Sequence, residues 1–150
     1  MQKHGCGAAI LSHNCLNPQQ WGWTRELISR PRISVLLMQR GADAPTFPNC
    51  WGMPGGLLEE GEEPFQTAAR EALEEVGVRF SPLLPAFYEG EWENRKLSYF
   101  TGWWEAPQNI VVQASEVADW RWFTFEEALN LPLSFRYPEA IKELSKRFPR

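Results

Sequence analysis

The segment from Pro64 to Val76 constrains the fold of this chain more than any other. Its apolar residues recur at the three- and four-residue intervals of an α-helix that packs one face against a core. Pro64 suits the first helical position, and Gly77 can take the left-handed conformation that ends a helix. Glu62 and Glu63 lie beside the positive end of the helix dipole. We therefore predict a capped amphipathic helix over residues 64–76. Its apolar stripe comprises Phe65, Ala68, Ala69, Ala72, Leu73 and Val76.

The polar face of this helix is crowded with carboxylates. At about 100° per residue, Glu71, Glu74 and Glu75 share a sector of about 100°. Like charges four residues apart destabilise a helix, and Arg70 can relieve only part of this repulsion. Divalent cations would remove it, and hard oxygen ligands suit Mg²⁺ or Mn²⁺. A solvated acidic face without function is the alternative for such a segment taken alone.

A glycine-rich turn precedes the helix, with the sequence Trp-Gly-Met-Pro-Gly-Gly at residues 51–56. Glycines permit positive φ angles and let the backbone approach other groups closely. We expect a sharp turn here, in which a backbone carbonyl is available as one more oxygen ligand for a metal ion.

Together, the turn and the helix resemble the Nudix box, G-x5-E-x7-R-E-U-x-E-E-x-G-U, where U is apolar. Its fixed positions are matched by Gly56, Glu62, Arg70, Glu71, Glu74, Glu75 and Gly77. The resemblance implies that the last three of these glutamates and the carbonyl of Gly55 hold metal ions or the attacking water. It implies that Glu62 and Arg70 orient these ligands through ion pairs. It also implies a hydrolase that cleaves a nucleoside diphosphate linked to another group.

The rest of the chain alternates strand-like apolar segments with turn-rich connections. The predicted strands are 7–13, 33–40, 84–93, 95–105 and 120–123, and the further predicted helices are 125–130 and 138–148. Thr124 with Glu127 predicts a capping box at the start of the first of these helices. Residues 14–32 form a long connection, and loops of this length are often functional. We expect an α+β fold, a Nudix-type α/β/α sandwich with a mixed sheet.

Composition limits the classes of protein to consider. A length of 150 residues suggests a single domain spanning residues 1–150. The net charge of −4 argues against a binder of nucleic acid polymers, which would carry a basic stripe. No apolar run approaches the ~20 residues of a membrane span, and the first residues lack the apolar core of a signal peptide. The 3 cysteines lack metal-binding spacing, so we expect free thiols in the cytoplasm.

The general base of the reaction is a separate question, because it often lies outside the helix. A loop before a late strand is its common place in the family that the box resembles, which makes Glu116 the first candidate. Glu71, Asp119 and Glu93 are alternatives. With Glu116, the expected catalytic set is Glu71, Glu74, Arg70 and Glu116.

Four residues outside the box are candidates for substrate binding. Arg40 ends the second predicted strand, where it could contact phosphate. Trp103 and Trp104 lie on a predicted hairpin, and only one of them can face a given pocket, because neighbours in a strand point to opposite faces. Trp23 lies in the long connection and could be part of a lid or of a dimer contact, with local packing as the alternative. Packing in a core is the alternative for Trp103 and Trp104.

The substrate is the least determined part of the prediction. The proline and tyrosine marks of ADP-ribose and diadenosine polyphosphate hydrolases are absent from the region around residues 93–95. We expect Mg²⁺-dependent hydrolysis of a pyrophosphate bond in a nucleoside or deoxynucleoside triphosphate. An ADP-ribose or nucleotide-sugar substrate is the first alternative, and a nucleotide-binding domain without hydrolysis is the second. A homodimer is common in the family, so a second copy of the chain is the expected protein partner.

Overall fold

The computed structural model of the chain describes residues 2–13, 33–104, 109–113 and 115–148. The strands are β1 Lys3–His13, β2 Ile33–Arg40, β3 Trp51–Gly52, β4 Gly55–Leu57, β5 Tyr88–Trp92, β6 Arg95–Trp103 and β7 Val117–Thr124. The helices in the described ranges are α1 Pro64–Val76, α2 Phe125–Ala128 and α3 Tyr137–Arg147.

All described strands belong to one mixed sheet. Its main path is β3-β2-β1-β6-β5, with β4 paired to β1 and β7 paired to β2. At its centre β1 and β6 run parallel, from Lys3 opposite Arg95 to Leu11 opposite Trp103. Near its start β1 pairs with β4, and near its end it pairs with β2. The sheet therefore splits beside the middle of β1, and the turn between β3 and β4 crosses this split.

Helices cover both faces of the sheet, because successive residues of a strand point to opposite sides. Ala8 and Ile10 of β1 belong to the core on the α1 face. Ala9 and Leu11 belong to the core on the α3 face, with Ile141. Each layer is thus closed by apolar side chains from the same strands. The predicted α/β/α sandwich is confirmed.

The bounds of α1 agree with the prediction. Pro64 occupies the first turn, and Gly77 ends the helix with a φ of 70°. The predicted apolar stripe is wrong at Leu73, which is 50 % exposed, whereas Thr67 and Glu75 are buried. Compared with the prediction, the buried face of α1 is therefore rotated toward the acidic side of the helix, because the sheet packs against that side.

Several other bounds differ from the predicted ones. β1 begins four residues earlier than predicted, at Lys3, because pairing with β6 and β4 supports polar residues that local sequence does not mark as strand. β5 begins at Tyr88 and not at residue 84, where Leu84 is exposed. The capping box is confirmed, since Thr124 and Glu127 exchange hydrogen bonds of 2.8 and 3.2 Å.

The long connection of residues 14–32, with Trp23, lies outside the described residues. None of the helices in the described ranges has the length and apolar character that spanning a membrane would require.

Candidate active site

The acidic face of α1 and the glycine-rich turn border a cavity of about 630 Å³. The rest of its wall comes from the start of β1, the end of β2 with the loop that follows it, the first half of β6, the loop before β7, and the start of α3 with the residues before it. The polar and charged residues of that wall include Arg40, Gly55, Glu75, Arg95, Glu116 and Tyr137. The cavity therefore has acidic and basic groups on its surface.

Glu75 is the buried acid of this cavity and is 7 % exposed. Its Oε1 accepts a 2.8 Å hydrogen bond from the backbone N–H of Gly55. Burial raises the pKa of Glu75 far above its usual range, and the nearby carboxylates of Glu71 and Glu116 act in the same direction. No ion pair joins Glu75 to a cationic side chain of the described residues. This position therefore favours a proton or a metal cation beside Glu75.

Arg70 connects the other acids of the box. Its Nε and Nη2 donate to the two carboxylate oxygens of Glu62 at 2.8 and 3.1 Å. Its Nη1 contacts Glu71 at 3.0 Å and Glu74 at 3.2 Å. Hydrogen bonds from Arg70 are the main reason that the pKa of Glu62 falls to about 2, so this carboxylate stays charged. Arg70 therefore sets the positions of Glu71 and Glu74 relative to Glu62.

The glycine-rich turn is held from both sides of the sheet. Ala8 donates its N–H to the carbonyl of Pro54 at 2.8 Å. From the α3 side, the hydroxyl of Tyr137 donates to the carbonyl of Met53 at 3.3 Å. A Cβ atom at Gly56 would overlap the carboxylate of Glu71. Glycine at this position therefore allows Glu71 to lie against the turn.

The donors beside the turn fit a hard divalent cation. Glu71, Glu74 and Glu75 offer carboxylate oxygens, which Mg²⁺ and Mn²⁺ prefer. Within the described ranges no three acidic, histidine or cysteine side chains already enclose one point. Arg70 engages Glu71 and Glu74, while the N–H of Gly55 engages Glu75. A cation would therefore compete with Arg70 and would supply the positive partner that Glu75 lacks. The role of the Gly55 carbonyl stays a prediction.

The candidates for the general base lie in different places. Glu116 is exposed, lines the cavity and influences the pKa of Glu75. Asp119 accepts a 2.8 Å hydrogen bond from the N–H of Trp120 and pairs with Arg121 outside the cavity wall. Glu93 lies in the turn between β5 and β6, also away from the cavity wall. The structure thus brings Glu116, but neither Asp119 nor Glu93, to the box acids.

The tryptophan candidates are not brought to this cavity. Trp103 stacks on His13 with a centroid distance of 4.5 Å and meets Phe148 edge to face. Trp104 packs edge to face on Trp122 in the core on the α1 side. Trp103 forms the last pair of the parallel β1–β6 ladder and Trp104 follows it, whereas the cavity lies at the start of the ladder. Their positions give no support to a role in stacking a base there.

The wall residues that the sequence prediction missed include Arg95, Phe135 and Tyr137. They lie far along the chain from the box and follow no recognisable local pattern. Parallel pairing of β6 with β1 brings Arg95 to the cavity, and the packing of α3 brings Tyr137. Long-range contacts of this kind cannot be inferred from residue periodicity, which reports only local structure.

The family assignment agrees with this geometry. A family model described as the NUDIX domain matches residues 27–144. The chain belongs to the Nudix family. Among its Nudix relatives is the RNA pyrophosphohydrolase of Rickettsia bellii (strain OSU 85-389), which is 28 % identical over 143 residues. That match covers 76 % of this chain and 88 % of the relative. The expectation of a hydrolase is thereby confirmed.

Solved Nudix structures share the fold. The C. elegans Ap4A hydrolase, solved as a binary complex, has a TM-score of 0.71 and 21 % identity, and the match covers 95 % of this chain and 96 % of that one. The Nudix domain of Shewanella oneidensis NrtR, solved with ADP-ribose, has a TM-score of 0.71 and 22 % identity over 98 % of this chain and 88 % of that one. At such identities the similarity establishes the architecture alone.

Proposed function

We propose that this Nudix hydrolase is a Mg²⁺-dependent pyrophosphohydrolase of nucleoside or deoxynucleoside triphosphates. The observation that carries the proposal is the buried carboxylate of Glu75, which has no cationic partner among the described residues and lines a cavity together with Glu116 and Arg40. A substrate with a phosphate chain can interact with both kinds of group. Its negative charge binds Arg40 directly, and the metal ions that it carries bind the acids.

In the proposed reaction, water attacks phosphorus and the bond to the bridging oxygen of the diphosphate breaks. Mg²⁺ or Mn²⁺, when bound by the box carboxylates, supplies charge that neutralises the diphosphate and lowers the pKa of the attacking water. Arg70 holds Glu71 and Glu74 in position through the contacts described above. The Gly55 N–H holds the carboxylate of Glu75. Much of the rate enhancement then comes from positioning and charge stabilisation.

Glu116 is the proposed general base. Glu116 and Asp43 are the carboxylates outside α1 among the described residues that line the cavity. Glu116 is exposed, so it can exchange the proton that it accepts with solvent. Glu75 lines the same cavity, and the charge of Glu116 contributes to raising the pKa of Glu75. We expect Glu116→Gln to lower kcat by about 100-fold, because general bases contribute rate factors of this order.

Other substrates remain as alternatives within the same chemistry. The Rickettsia relative is named an RNA pyrophosphohydrolase, and the NrtR domain was solved with ADP-ribose. A 5′-triphosphorylated RNA, ADP-ribose or a nucleotide sugar therefore belongs in the substrate panel. Nucleotide binding without hydrolysis is the alternative from another class. A homodimer in the cytoplasm stays the prediction for assembly and location.

The test is a phosphate-release and product-analysis screen with and without Mg²⁺. The panel consists of nucleoside and deoxynucleoside triphosphates, a 5′-triphosphorylated oligoribonucleotide, a diadenosine polyphosphate, ADP-ribose and a nucleotide sugar. Highest kcat/KM on a free triphosphate, dependent on metal, supports the proposal. Tight nucleotide binding without turnover on any member, with Mg²⁺ present, would replace it with the binding-domain alternative.

A further inference from the structure

Two arginines line the cavity beside one aromatic ring. The Cζ atom of Arg40 lies 5.2 Å from the centroid of Phe135, and that of Arg95 lies 5.0 Å from it. Arg95 also lies over Trp92, at 5.8 Å from its ring centroid. Stacking of a guanidinium on a ring fixes the plane of the group and leaves its edge, with the N–H donors, available.

These guanidinium groups have no acidic partner in the described part of the chain. Ion pairs there involve Arg70, Arg121 and Arg147, but neither Arg40 nor Arg95. Arg40 uses two donors on Thr46, Nε to its carbonyl at 2.9 Å and Nη2 to its hydroxyl at 3.2 Å, and its Nη1 is left for a ligand. The Arg95 fork makes no hydrogen bond to the described residues.

Both arginines, Glu75 and the buried Tyr137 line the same cavity. Burial raises the pKa of Tyr137, and the charge of Glu75 raises it further. Arg40 and Arg95 act on the same hydroxyl in the opposite direction. A single ligand in the cavity can therefore reach the acidic side and the basic side.

We propose that Arg40 and Arg95, ordered by Phe135, bind a phosphate group of the substrate that lies outside the diphosphate being cleaved. The inference rests on the proposed function, because the box acids and their metal ions serve the cleaved diphosphate. The arginines then select substrates with at least one additional phosphate over ADP-ribose and nucleotide sugars, which have only the diphosphate. The free fork of Arg95 is suited to bidentate binding of phosphate oxygens, and Arg40 adds the donor at its Nη1.

The additional phosphate can come from two sources, which share the same chemistry. It is either the terminal phosphate of a free nucleoside triphosphate or the first backbone phosphate of a 5′-triphosphorylated RNA. Comparison of a nucleoside triphosphate with a 5′-triphosphorylated dinucleotide separates them. If the arginines act on the terminal phosphate, Arg95→Gln weakens both equally. If they act on the backbone phosphate, Arg95→Gln weakens only the dinucleotide.

The decisive experiment measures binding by calorimetry in EDTA, so that it does not depend on catalysis. The probes are inorganic tripolyphosphate, pyrophosphate, the 5′-triphosphorylated dinucleotide and adenosine. We expect Arg95→Gln and Arg40→Gln to weaken binding of tripolyphosphate or of the dinucleotide at least about tenfold, as loss of a charge-assisted hydrogen bond does. Arg95→Lys, which keeps the charge but not the planar fork, should give an intermediate loss.

Arg136→Gln is the matched control. Arg136 adjoins Phe135 in sequence and is exposed, but it lies outside the cavity wall and donates to the carbonyl of Glu91. Its substitution removes the same charge nearby, and we expect binding to change less than about twofold. Equal losses in Arg95→Gln and Arg136→Gln would overturn the proposal, as would an equal effect of Arg95→Gln on adenosine. Melting temperatures of all variants show whether each one is folded.

A catalytic measurement extends the test. We expect Arg95→Gln to raise KM about tenfold for the triphosphorylated substrates whose binding it weakens in the calorimetry, and to leave KM for ADP-ribose almost unchanged. An equal rise for both substrates contradicts the proposed selectivity. If the wild-type protein hydrolyses no substrate, the proposed function fails, whereas binding in EDTA still decides whether the arginines form a phosphate site.

Discussion

The backbone N–H of Gly55 donates a 2.8 Å hydrogen bond to the carboxylate of Glu75, although the two residues are 20 positions apart. The bond joins the glycine-rich turn to the buried face of α1. Glu75 has the most strongly raised carboxyl pKa among the described residues. The bond places it against the turn in which the Gly55 carbonyl is the expected metal ligand. Activity should therefore depend on groups that hold this turn as well as on the acids themselves.

Substitution of the box acids tests the proposed chemistry directly. We expect Glu75→Gln and Glu74→Gln each to lower kcat at least about 100-fold, because each removes a negative ligand. Steady-state kinetics at saturating Mg²⁺ measures the effect. Glu139→Gln, an exposed residue of α3, is the control and should keep the wild-type rate. Near-wild-type rates in both box variants would end the hydrolytic account of this helix.

The raised pKa of Glu75 predicts how stability depends on pH without metal. Glu75 holds its proton more tightly in the folded protein than in the unfolded chain. The contribution of this protonation to the free energy of unfolding is therefore complete below the ordinary pKa of 4.5. It is lost as pH rises through the raised pKa. Between about pH 7 and about pH 9 we expect the melting temperature in EDTA to fall, and to fall less for Glu75→Gln.

The pH range for this measurement starts at about pH 7 because His4 also contributes to pH-dependent stability at lower pH. Its pKa is lowered, mainly by burial, so its contribution to stability increases as pH rises toward its ordinary value of 6.5 and is constant above it. Mg²⁺ should raise the melting temperature more at the alkaline end, since it binds the deprotonated carboxylates. Identical pH profiles for wild type and Glu75→Gln in EDTA would contradict the assignment to Glu75.

Arg70 is expected to act through the geometry of its hydrogen bonds and not through charge alone. Arg70→Lys keeps the charge but cannot contact both oxygens of Glu62 with one planar fork. We expect kcat/KM to fall about 10- to 100-fold, as for other residues that orient metal ligands. Arg121→Lys, at an exposed ion pair with Asp119, is the control. Retention of wild-type kcat/KM and Mg²⁺ dependence in Arg70→Lys would refute this role.

Gly56→Ala tests how closely Glu71 approaches the turn. The new Cβ atom would overlap the carboxylate of Glu71, which has to move away. We expect a loss of kcat of at least about tenfold, because displacement of a catalytic group by about 1 Å has effects of this size. Circular dichroism should show an intact fold. A variant with full activity would mean that Glu71 is free to leave the turn without consequence.

Tyr137→Phe removes the hydroxyl that donates to the carbonyl of Met53 from the opposite helical layer. We expect a raised Mg²⁺ requirement, measured by activity and by Mn²⁺ binding, with a loss of stability of about 1 kcal/mol. Tyr88→Phe is the matched control, since the Tyr88 hydroxyl makes no hydrogen bond to the described residues. Equal Mg²⁺ requirements in the two variants would reduce Tyr137 to a packing role.

Local sequence was sufficient for the parts of the fold that local forces determine. Pro64 and Gly77 bound α1, and Thr124 caps α2, because these residues satisfy backbone groups within a few positions. It was insufficient at Leu73, which looks apolar and is exposed, and at Thr67, which is polar and buried. Which side of an amphipathic helix meets the sheet depends on packing partners elsewhere in the chain.

The sequence by itself determined the acidic helix, its family and the chemistry that the family performs, because spacing along one helix sets which side chains share a face. Only the tertiary structure decided that Glu75 is the buried acid, that Glu116 lies nearby, and that Arg40 and Arg95 line the same cavity. These relationships join residues from separate strands and helices. Parallel pairing of β1 with β6 brings Arg95 to the cavity, and pairing of β2 with β7 sets Arg40 opposite Val117, next to Glu116.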